Sequence, residues 1–258
     1  MNKTILKLEK ITKEYRAFEG IFKGSSTIVK AASDISLEIV KGRSLGVVGE
    51  SGSGKTTLAK IISDIIKPDS GKILFHGEDI NSLGDNYMNY RRNVQVVFQD
   101  PYLSLNPKLT IFSAMKDALK VHGIKGDARE ICGKYMEMVG LDRAYLDRYP
   151  HEFSGGQRQR ISMARALLLE PEIIIADEPV SSLDVSVQAQ ILNLMKKLKL
   201  ENGVTFILIS HDLAVVSFLC DDVIVMHNGE MVEYGTVEKV LNSPENDYTR
   251  KLLTASGG

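Results

Sequence analysis

The chain has 258 residues, of which 43% are hydrophobic and 25% charged, a composition typical of globular proteins. Its 32 basic and 33 acidic residues leave a net charge of -1, which excludes an overall electrostatic attraction to nucleic acid. The two cysteines, Cys132 and Cys220, form no C-x-x-C pair, so we expect buried thiols and neither a disulfide framework nor a zinc site. No stretch approaches the roughly 20 consecutive apolar residues of a membrane-spanning helix.

Patterns in the first part of the chain predict two strands and then a strand–loop–helix unit. Leu6–Ile11 and Ile35–Ile39 alternate like half-buried strands. The segment Ala17–Lys30 between them is aperiodic, and we expect an exposed loop there. Leu45–Val48 is a short apolar run that indicates a buried strand, and the pattern after it predicts a helix over Lys55–Ile66.

The middle of the chain changes to helical spacing, and strand patterns return after it. Helices are predicted at Leu109–Lys120, Asp127–Val139, Gln157–Leu169, Val185–Leu200 and Asp212–Leu219. Strands are predicted at Glu172–Ile175, Val204–Ile209 and Val223–Met226. Strand–helix alternation interrupted by a helical block indicates an α/β fold with a parallel-sheet core. We expect one domain over 1–258, with a core of about 1–108 and 171–258 and a helical insertion of about 109–170.

A glycine-rich segment follows the predicted strand at Leu45–Val48. It fits the pattern G-x-x-x-x-G-K-[ST] and consists of Gly49, Glu50, Ser51, Gly52, Ser53, Gly54, Lys55 and Thr56, with Thr57 next, all of which we assign to nucleotide binding. Such glycines let backbone N–H groups point at phosphates, while Lys55 reaches the outer phosphates and the Thr56 hydroxyl suits Mg²⁺. An ordinary glycine-rich turn is the alternative, but the strand before and the helix after favour a phosphate-binding loop.

Two carboxylates end another apolar run. Ile173–Ala176 is typical of a buried parallel strand, and α/β folds bind their ligands at the C-terminal ends of such strands. Asp177 suits a Mg²⁺ ligand, and Glu178 can polarise an attacking water. A pair of acidic residues at a solvated strand end is the alternative. The phosphate loop in the same chain favours hydrolysis.

A second glycine-containing helix start lies at Ser154, Gly155, Gly156 and Gln157. Free N–H groups and the helix dipole make such a start an anion site. Standing alone, this tetrapeptide would be interpreted as an ordinary helix cap. Together with the phosphate loop it indicates a second phosphate-binding helix start.

In order and spacing, these motifs resemble those of the ABC (ATP-binding cassette) ATPases, over about Leu6 to Leu253. The phosphate loop, Asp177–Glu178 and the signature Phe153–Gln157 match, although Phe153 stands where the family usually has leucine. Gln99 looks like the family's glutamine loop, Ser182–Asp184 like its D-loop, and His211 like its switch histidine.

The resemblance implies an α/β fold with a P-loop NTPase core of mostly parallel sheet, an N-terminal antiparallel β subdomain and an inserted α-helical signature subdomain. It implies ATP and Mg²⁺ as cofactors. The implied roles are catalysis for Glu178, His211 and Lys55, Mg²⁺ ligation for Thr56, Gln99 and Asp177, contact with a partner's ATP for Ser154, Gly155, Gly156 and Gln157, and dimer communication for Asp184.

Tyr15 resembles the aromatic residue that stacks on adenine in this family. A tyrosine packed on the core is the alternative. The remaining histidines, His76, His122, His151 and His227, are interpreted as surface or packing residues.

Four segments are similar to the peptide/nickel importer group of this family: Pro101–Pro107, Tyr149–Phe153, Leu183–Gln190 and the tail Asn242–Leu253, in a family-type C-terminal region of about 236–258. This implies an ATP-hydrolysing importer subunit that energises peptide uptake. A nickel or metal-chelate importer is the alternative, and a soluble ABC ATPase acting on nucleic acid or ribosomes is a further one.

The implied partners are a second, non-identical ABC ATPase subunit, two integral membrane permease subunits and, indirectly, an extracytoplasmic substrate-binding protein. Nucleic acid is not expected as a partner. The implied location is the cytoplasmic face of the cell membrane, as a peripheral protein.

Overall fold

The structure is a computed structural model that describes residues 3–18, 26–99 and 105–256. The chain divides into two compact units, which we call unit 1 (Met1–Tyr87 and Ile207–Gly258) and unit 2 (Met88–Phe206). Of the segment Pro101–Pro107, residues 101–104 lie outside the described residues.

The secondary-structure elements are labelled in chain order. The strands are β1 (Thr4–Phe18), β2 (Ser26–Val40), β3 (Leu45–Val48), β4 (Ser70–Phe75), β5 (Glu78–Asp79), β6 (Val94–Val97), β7 (Ile173–Asp177), β8 (Thr205–Ile209), β9 (Asp222–His227) and β10 (Glu230–Thr236). The helices are α1 (Lys55–Ile62), α2 (Tyr87–Asn93), α3 (Ile111–Val121), α4 (Ala128–Met138), α5 (Gly155–Leu167), α6 (Val185–Asn202), α7 (Leu213–Leu219), α8 (Val237–Asn242) and α9 (Asp247–Ser256).

Unit 1 contains an antiparallel sheet in the order β2-β1-β4-β5. Leu8 of β1 pairs with Leu37 of β2 on one side and with Ile73 of β4 on the other, and all three side chains are buried. Alternate residues of these strands therefore form one apolar face, which is the pattern that predicted the two N-terminal strands.

The central strand of the other sheet in unit 1 is β3, which pairs in parallel with both β8 and β9. β10 extends this sheet antiparallel to β9. β3 and β8 are buried along their whole length, as strands covered on both faces are. Leu58 and Ile62 of α1 and Val216 of α7 are buried as well.

Unit 2 combines the parallel pair β6 and β7 with a block of helices. Helix α3 buries Ile111, Met115 and Leu119, one face at helical spacing, and contacts α4 and α5. Cys132 of α4 is fully buried and Cys220 of unit 1 nearly so, which confirms the expectation of buried thiols.

The fold class expected from the resemblance is confirmed, but the loop expected over Ala17–Lys30 is wrong where the structure describes it. β1 continues to Phe18 and β2 begins at Ser26, with Tyr15 opposite Val29. Residues 19–25 lie outside the described part of the chain. Residues 28–30 are all exposed, so this part of the hairpin lacks the half-buried alternation that identifies a strand in a sequence.

The helix predicted over Lys55–Ile66 ends earlier, at Ile62. Asp64 adopts a left-handed backbone with a φ of 54°, which a continuing α-helix does not allow. The strands β4, β5, β6 and β10 and the helices α2, α8 and α9 were not predicted from the sequence patterns.

Candidate functional site

The glycine-rich loop lies in unit 1, between the buried strand β3 and the first residue of α1. Gly49 and Gly54 have φ values of 145° and 106°, which other residues rarely adopt. A Cβ atom on Gly49 would lie 2.2 Å from the carbonyl oxygen of Met226, and one on Gly54 2.0 Å from that of Ala31. The loop is therefore restricted to glycine at these two positions by conformation and by space.

Two buried side chains inside the loop are suited to an anion. The Lys55 ammonium donates hydrogen bonds to the carbonyl oxygens of Gly49, at 2.8 Å, and Glu50, at 2.7 Å. Ser53 is only 4% exposed, and its hydroxyl has no hydrogen-bond partner among the described residues. A buried hydroxyl without a partner is costly, whereas a phosphate oxygen would satisfy it. The loop fits a nucleotide phosphate.

His211 follows β8 at the same edge of the sheet as the loop. Ile209 of β8 pairs with Val47 of β3, and the N–H of Ser210 donates to the carbonyl oxygen of Val47 at 3.2 Å. His211 is exposed, and Asp212 caps the following helix α7 by accepting from the N–H groups of its first turn. The parallel register thus places the histidine beside the end of the strand that leads into the loop.

Tyr15 also lies in unit 1, on the extended hairpin of β1 and β2. Its side chain is 43% exposed, so the alternative of a tyrosine packed in the core is not what the structure describes. The Lys13 ammonium lies 5.8 Å from the ring centroid and is held by Asp69 at 2.7 Å. An exposed ring next to a cation offers a flat surface for a planar partner.

The second group of predicted residues lies in unit 2, at the C-terminal end of β7. Asp177 is the last residue of this strand, and Glu178 follows with a φ of 44°. The Gln99 side-chain nitrogen donates to the Ser181 hydroxyl at 3.3 Å, and that hydroxyl donates to the Glu178 carbonyl oxygen at 3.2 Å. The structure therefore connects Gln99 to Glu178 through Ser181, a residue that the sequence motifs do not single out.

The signature begins helix α5 with a reciprocal cap. The Ser154 hydroxyl accepts from the Gln157 N–H at 3.3 Å, and the Gln157 side-chain oxygen accepts from the Ser154 N–H at 3.0 Å. Phe153, where the family usually has leucine, is buried and meets Tyr145 edge to face, with ring centroids 5.7 Å apart. The larger ring thus has an aromatic partner within unit 2.

Asp184 caps helix α6 in the same unit. One of its carboxylate oxygens accepts from the Ser186 hydroxyl at 2.7 Å and from the Val187 N–H at 3.0 Å. These two hydrogen bonds, the hydroxyl first, hold the pKa of Asp184 below its usual value. In this structure the aspartate stabilises the start of a helix, a role that its motif does not indicate.

The signature and the D-loop are in contact. A Cβ atom on Gly156 would lie 2.3 Å from a methyl carbon of Val187, and one on Gly155 would lie 3.2 Å from a methyl carbon of Leu183. The start of α5 therefore packs against the segment that leads into α6, and the absence of a side chain at Gly156 is what permits this approach.

Sequence reasoning missed two residues that support the phosphate loop. The Gly229 N–H donates to the Ser53 carbonyl oxygen at 3.0 Å, and the Glu50 N–H donates to the Tyr248 hydroxyl at 3.2 Å. Both come from the C-terminal part of the chain. The only signal in the sequence was the similarity of the tail Asn242–Leu253 to one group of a family, which does not indicate a contact.

A phosphate loop after a buried parallel strand, an acidic pair at a strand end and a glycine-containing signature helix define an ATPase of the cassette class. The ABC transporter family model matches residues 32–181 of the chain. A solved dimer of the ATP-binding cassette MJ0796, with bound ADP and phosphate, superposes with a TM-score of 0.77 at 30% identity and covers 90% of this chain and 99% of that one.

Curated relatives are more similar in sequence. The oligopeptide transport ATP-binding protein OppF of Streptococcus mutans is 47% identical over 237 residues, 90% of this chain and 77% of that protein. The oligopeptide transport ATP-binding protein AppF of Bacillus subtilis is 44% identical over 256 residues, 98% of this chain and 78% of that protein. The chain belongs to the ABC transporter family and is one of its nucleotide-binding ATPases.

Among the residues that the structure describes, no helix is long and apolar enough to span a membrane.

Proposed function

We propose that the chain is the ATP-hydrolysing subunit of an importer that takes up peptides, and that residues 1–258 form one ABC ATPase domain. The observation that carries this is the phosphate loop, in which a buried lysine and an unpartnered buried hydroxyl suit nucleotide phosphates. The peptide part rests on the relatives, which are named as oligopeptide transport proteins and align with 90% and 98% of the chain.

In the proposed mechanism, catalysis is mainly the positioning and neutralisation of phosphate charge. Lys55 and N–H groups of the phosphate loop bind the phosphates, except the Glu50 N–H, which donates to Tyr248, and Tyr15 stacks on the base. Glu178 accepts a proton from the attacking water, and His211 donates a hydrogen bond to the transferred phosphate.

The oxygen donors of Asp177, Thr56 and Gln99 are of the kind that Mg²⁺ prefers. Among the described residues no group of three or more His, Cys, Asp or Glu side chains could hold a metal ion by itself. Mg²⁺ does not require one, because it binds through one or two carboxylates, water and substrate phosphates. We propose Asp177, Thr56 and the Gln99 side-chain oxygen as protein ligands, since Gln99 uses its nitrogen for Ser181. Bound there, Mg²⁺ would neutralise phosphate charge.

The proposed assembly contains a second ABC ATPase subunit, two membrane permease subunits and, through them, an extracytoplasmic binding protein, at the cytoplasmic face of the membrane. The Ser154–Gln157 signature would contact the partner's nucleotide. Its preformed helix cap and its packing on the D-loop support this proposal, because they orient the start of α5 as a unit with Asp184.

The test of the catalytic proposal is Glu178→Gln, with Glu201→Gln as the matched control. Glu201 is exposed at the end of α6 and forms a surface pair with Lys197 at 3.8 Å, which contributes little. Losing a general base lowers turnover by about 10²–10⁴-fold. We therefore expect phosphate release to fall by that factor in Glu178→Gln, with nucleotide affinity retained, and to stay at the parental rate in Glu201→Gln.

Parental turnover in Glu178→Gln would remove that residue from the proposed role. The transport proposal is tested by co-purification with membrane subunits and by uptake of labelled peptides and labelled nickel in a strain lacking the chain. Loss of peptide uptake alone supports the proposal. Loss of nickel uptake alone contradicts it, and so does unchanged uptake of both peptides and nickel.

A further inference from the structure

The C-terminal helix reaches the phosphate loop through one side chain. Tyr248, in the first turn of α9, accepts a hydrogen bond on its hydroxyl oxygen from the Glu50 N–H, at 3.2 Å, across 198 positions of sequence. We propose that Tyr248 is a positioning residue that sets the affinity of the phosphate loop for nucleotide.

Tyr248 and Lys55 form hydrogen bonds to the same peptide group. The N–H of Glu50 and the carbonyl of Gly49 belong to one planar peptide unit. Tyr248 binds the nitrogen side of this unit, and the Lys55 ammonium donates to its oxygen at 2.8 Å. Rotation of the unit would displace both groups together, so the tyrosine hydroxyl fixes the acceptor that locates the lysine.

The tyrosine ring is itself fixed. It packs on the ring of His227, with centroids 3.9 Å apart and an interplanar angle of 32°. His227 ends β9, and the turn after it supplies the Gly229 N–H that binds the Ser53 carbonyl oxygen at 3.0 Å. Tyr248 and this turn thus contact the loop at two separate peptide groups.

The start of α9 is anchored to β10 by a carboxylate. Glu233 accepts from the N–H groups of Glu245, at 2.8 Å, and Asn246, at 3.2 Å. The Asn246 side-chain oxygen accepts from the Tyr248 N–H at 2.8 Å, and its nitrogen donates to the Val232 carbonyl oxygen. The Tyr248 N–H is therefore connected to β10 through Asn246, which itself binds Glu233 and Val232.

A loop held in its binding conformation binds a ligand more tightly, because less ordering remains to be done on binding. Removal of one neutral hydrogen bond typically changes an equilibrium about two- to tenfold. For Tyr248→Phe, which keeps the ring on His227 and loses only the hydroxyl, we expect the dissociation constant for nucleotide to rise by that factor. KM for ATP should rise in parallel, with kcat almost unchanged.

The experiment is equilibrium titration of the full chain with fluorescently labelled ADP and ATP, together with steady-state ATPase kinetics and thermal unfolding. Tyr234→Phe is the matched control, since Tyr234 is a half-exposed tyrosine of β10 in the same unit. Glu233→Ala releases the anchor of α9 without touching the ring, and it should weaken nucleotide binding in the same direction as Tyr248→Phe.

An unchanged dissociation constant in Tyr248→Phe, or an equal rise in Tyr234→Phe, overturns the proposal. A fall in melting temperature without a change in nucleotide affinity also overturns it, because that is the result of a purely structural role. All these variants keep Glu178, and nucleotide affinity is measured without a transport assay. A failure of this proposal is therefore distinguishable from a failure of the catalytic or the transport proposal.

Discussion

The contact between Gly156 and Val187 makes Gly156→Ala a sharp test of how the signature helix is packed. The added Cβ atom would lie 2.3 Å from a Val187 methyl carbon, whereas ordinary contacts begin near 3.4 Å. Gly156 lies in the first turn of α5, which Ser154 caps, so the helix or the valine must shift. Overpacking of this kind costs about 1–3 kcal/mol.

Gly155→Ala is the matched control for this change. It makes the same replacement one residue earlier in the same helix, so the gain of up to about 1 kcal/mol from better helix propensity is similar in both variants. Its Cβ atom would lie 3.2 Å from the end of the flexible Leu183 side chain, which can move aside. The difference in free energy of unfolding between the two variants should therefore be about 1–3 kcal/mol.

Urea unfolding of the two variants, of Val187→Ala and of the double variant Gly156→Ala/Val187→Ala measures this difference. Removal of the valine methyl groups makes room for the new Cβ, so the double variant should be more stable than the sum of the two single changes predicts. Equal midpoints for Gly155→Ala and Gly156→Ala, or strict additivity in the double variant, would refute the packing argument.

Two further predictions follow from titratable groups. Burial raises the pKa of the Cys132 thiol to about 11, and Cys220 is also buried. Both thiols should therefore react slowly with Ellman's reagent at pH 8 in the native protein and rapidly in denaturant. Fast stoichiometric labelling of the native protein would contradict this. Burial alone would raise the pKa of Glu233, but hydrogen bonds from the N–H groups of Glu245 and Asn246 hold it below its ordinary 4.5. The stabilising contribution of Glu233 is therefore complete above about pH 4.5 and is lost as the pH falls through the lowered native pKa. The free energy of chemical unfolding across this range should depend less on pH in Glu233→Gln than in the parental protein. Identical pH profiles would count against the anchor.

The parts of the fold that the sequence predicted are those in which burial leaves a periodic pattern. β3 and β8 are buried along their whole length, and the sequence predicted their bounds, like those of α4, to within one residue. The exposed end of the β1–β2 hairpin has no such pattern, and its register is set by pairing between Tyr15 and Val29, not by burial. Local alternation therefore missed it.

The candidate site likewise has a part that the sequence predicted and a part that it did not. The phosphate loop and the acidic pair were found because their residue types and spacing are local. Glu50 and Tyr248 lie 198 positions apart, and nothing in either neighbourhood indicates that they meet. The close approach of Val187 to Gly156 likewise depends on how two helices pack, which a sequence motif does not specify.

In the proposed mechanism, the backbone conformation of Glu178 favours one residue type for stability and another for activity. A residue other than glycine with a φ of 44° carries strain of about 1–3 kcal/mol, which persists only where the surrounding structure imposes it. Screening this chain for thermostable variants would thus reward glycine or asparagine at position 178, at the expense of the carboxylate. If Glu178 has its proposed role, variants selected for stability and variants selected for turnover should differ at this residue.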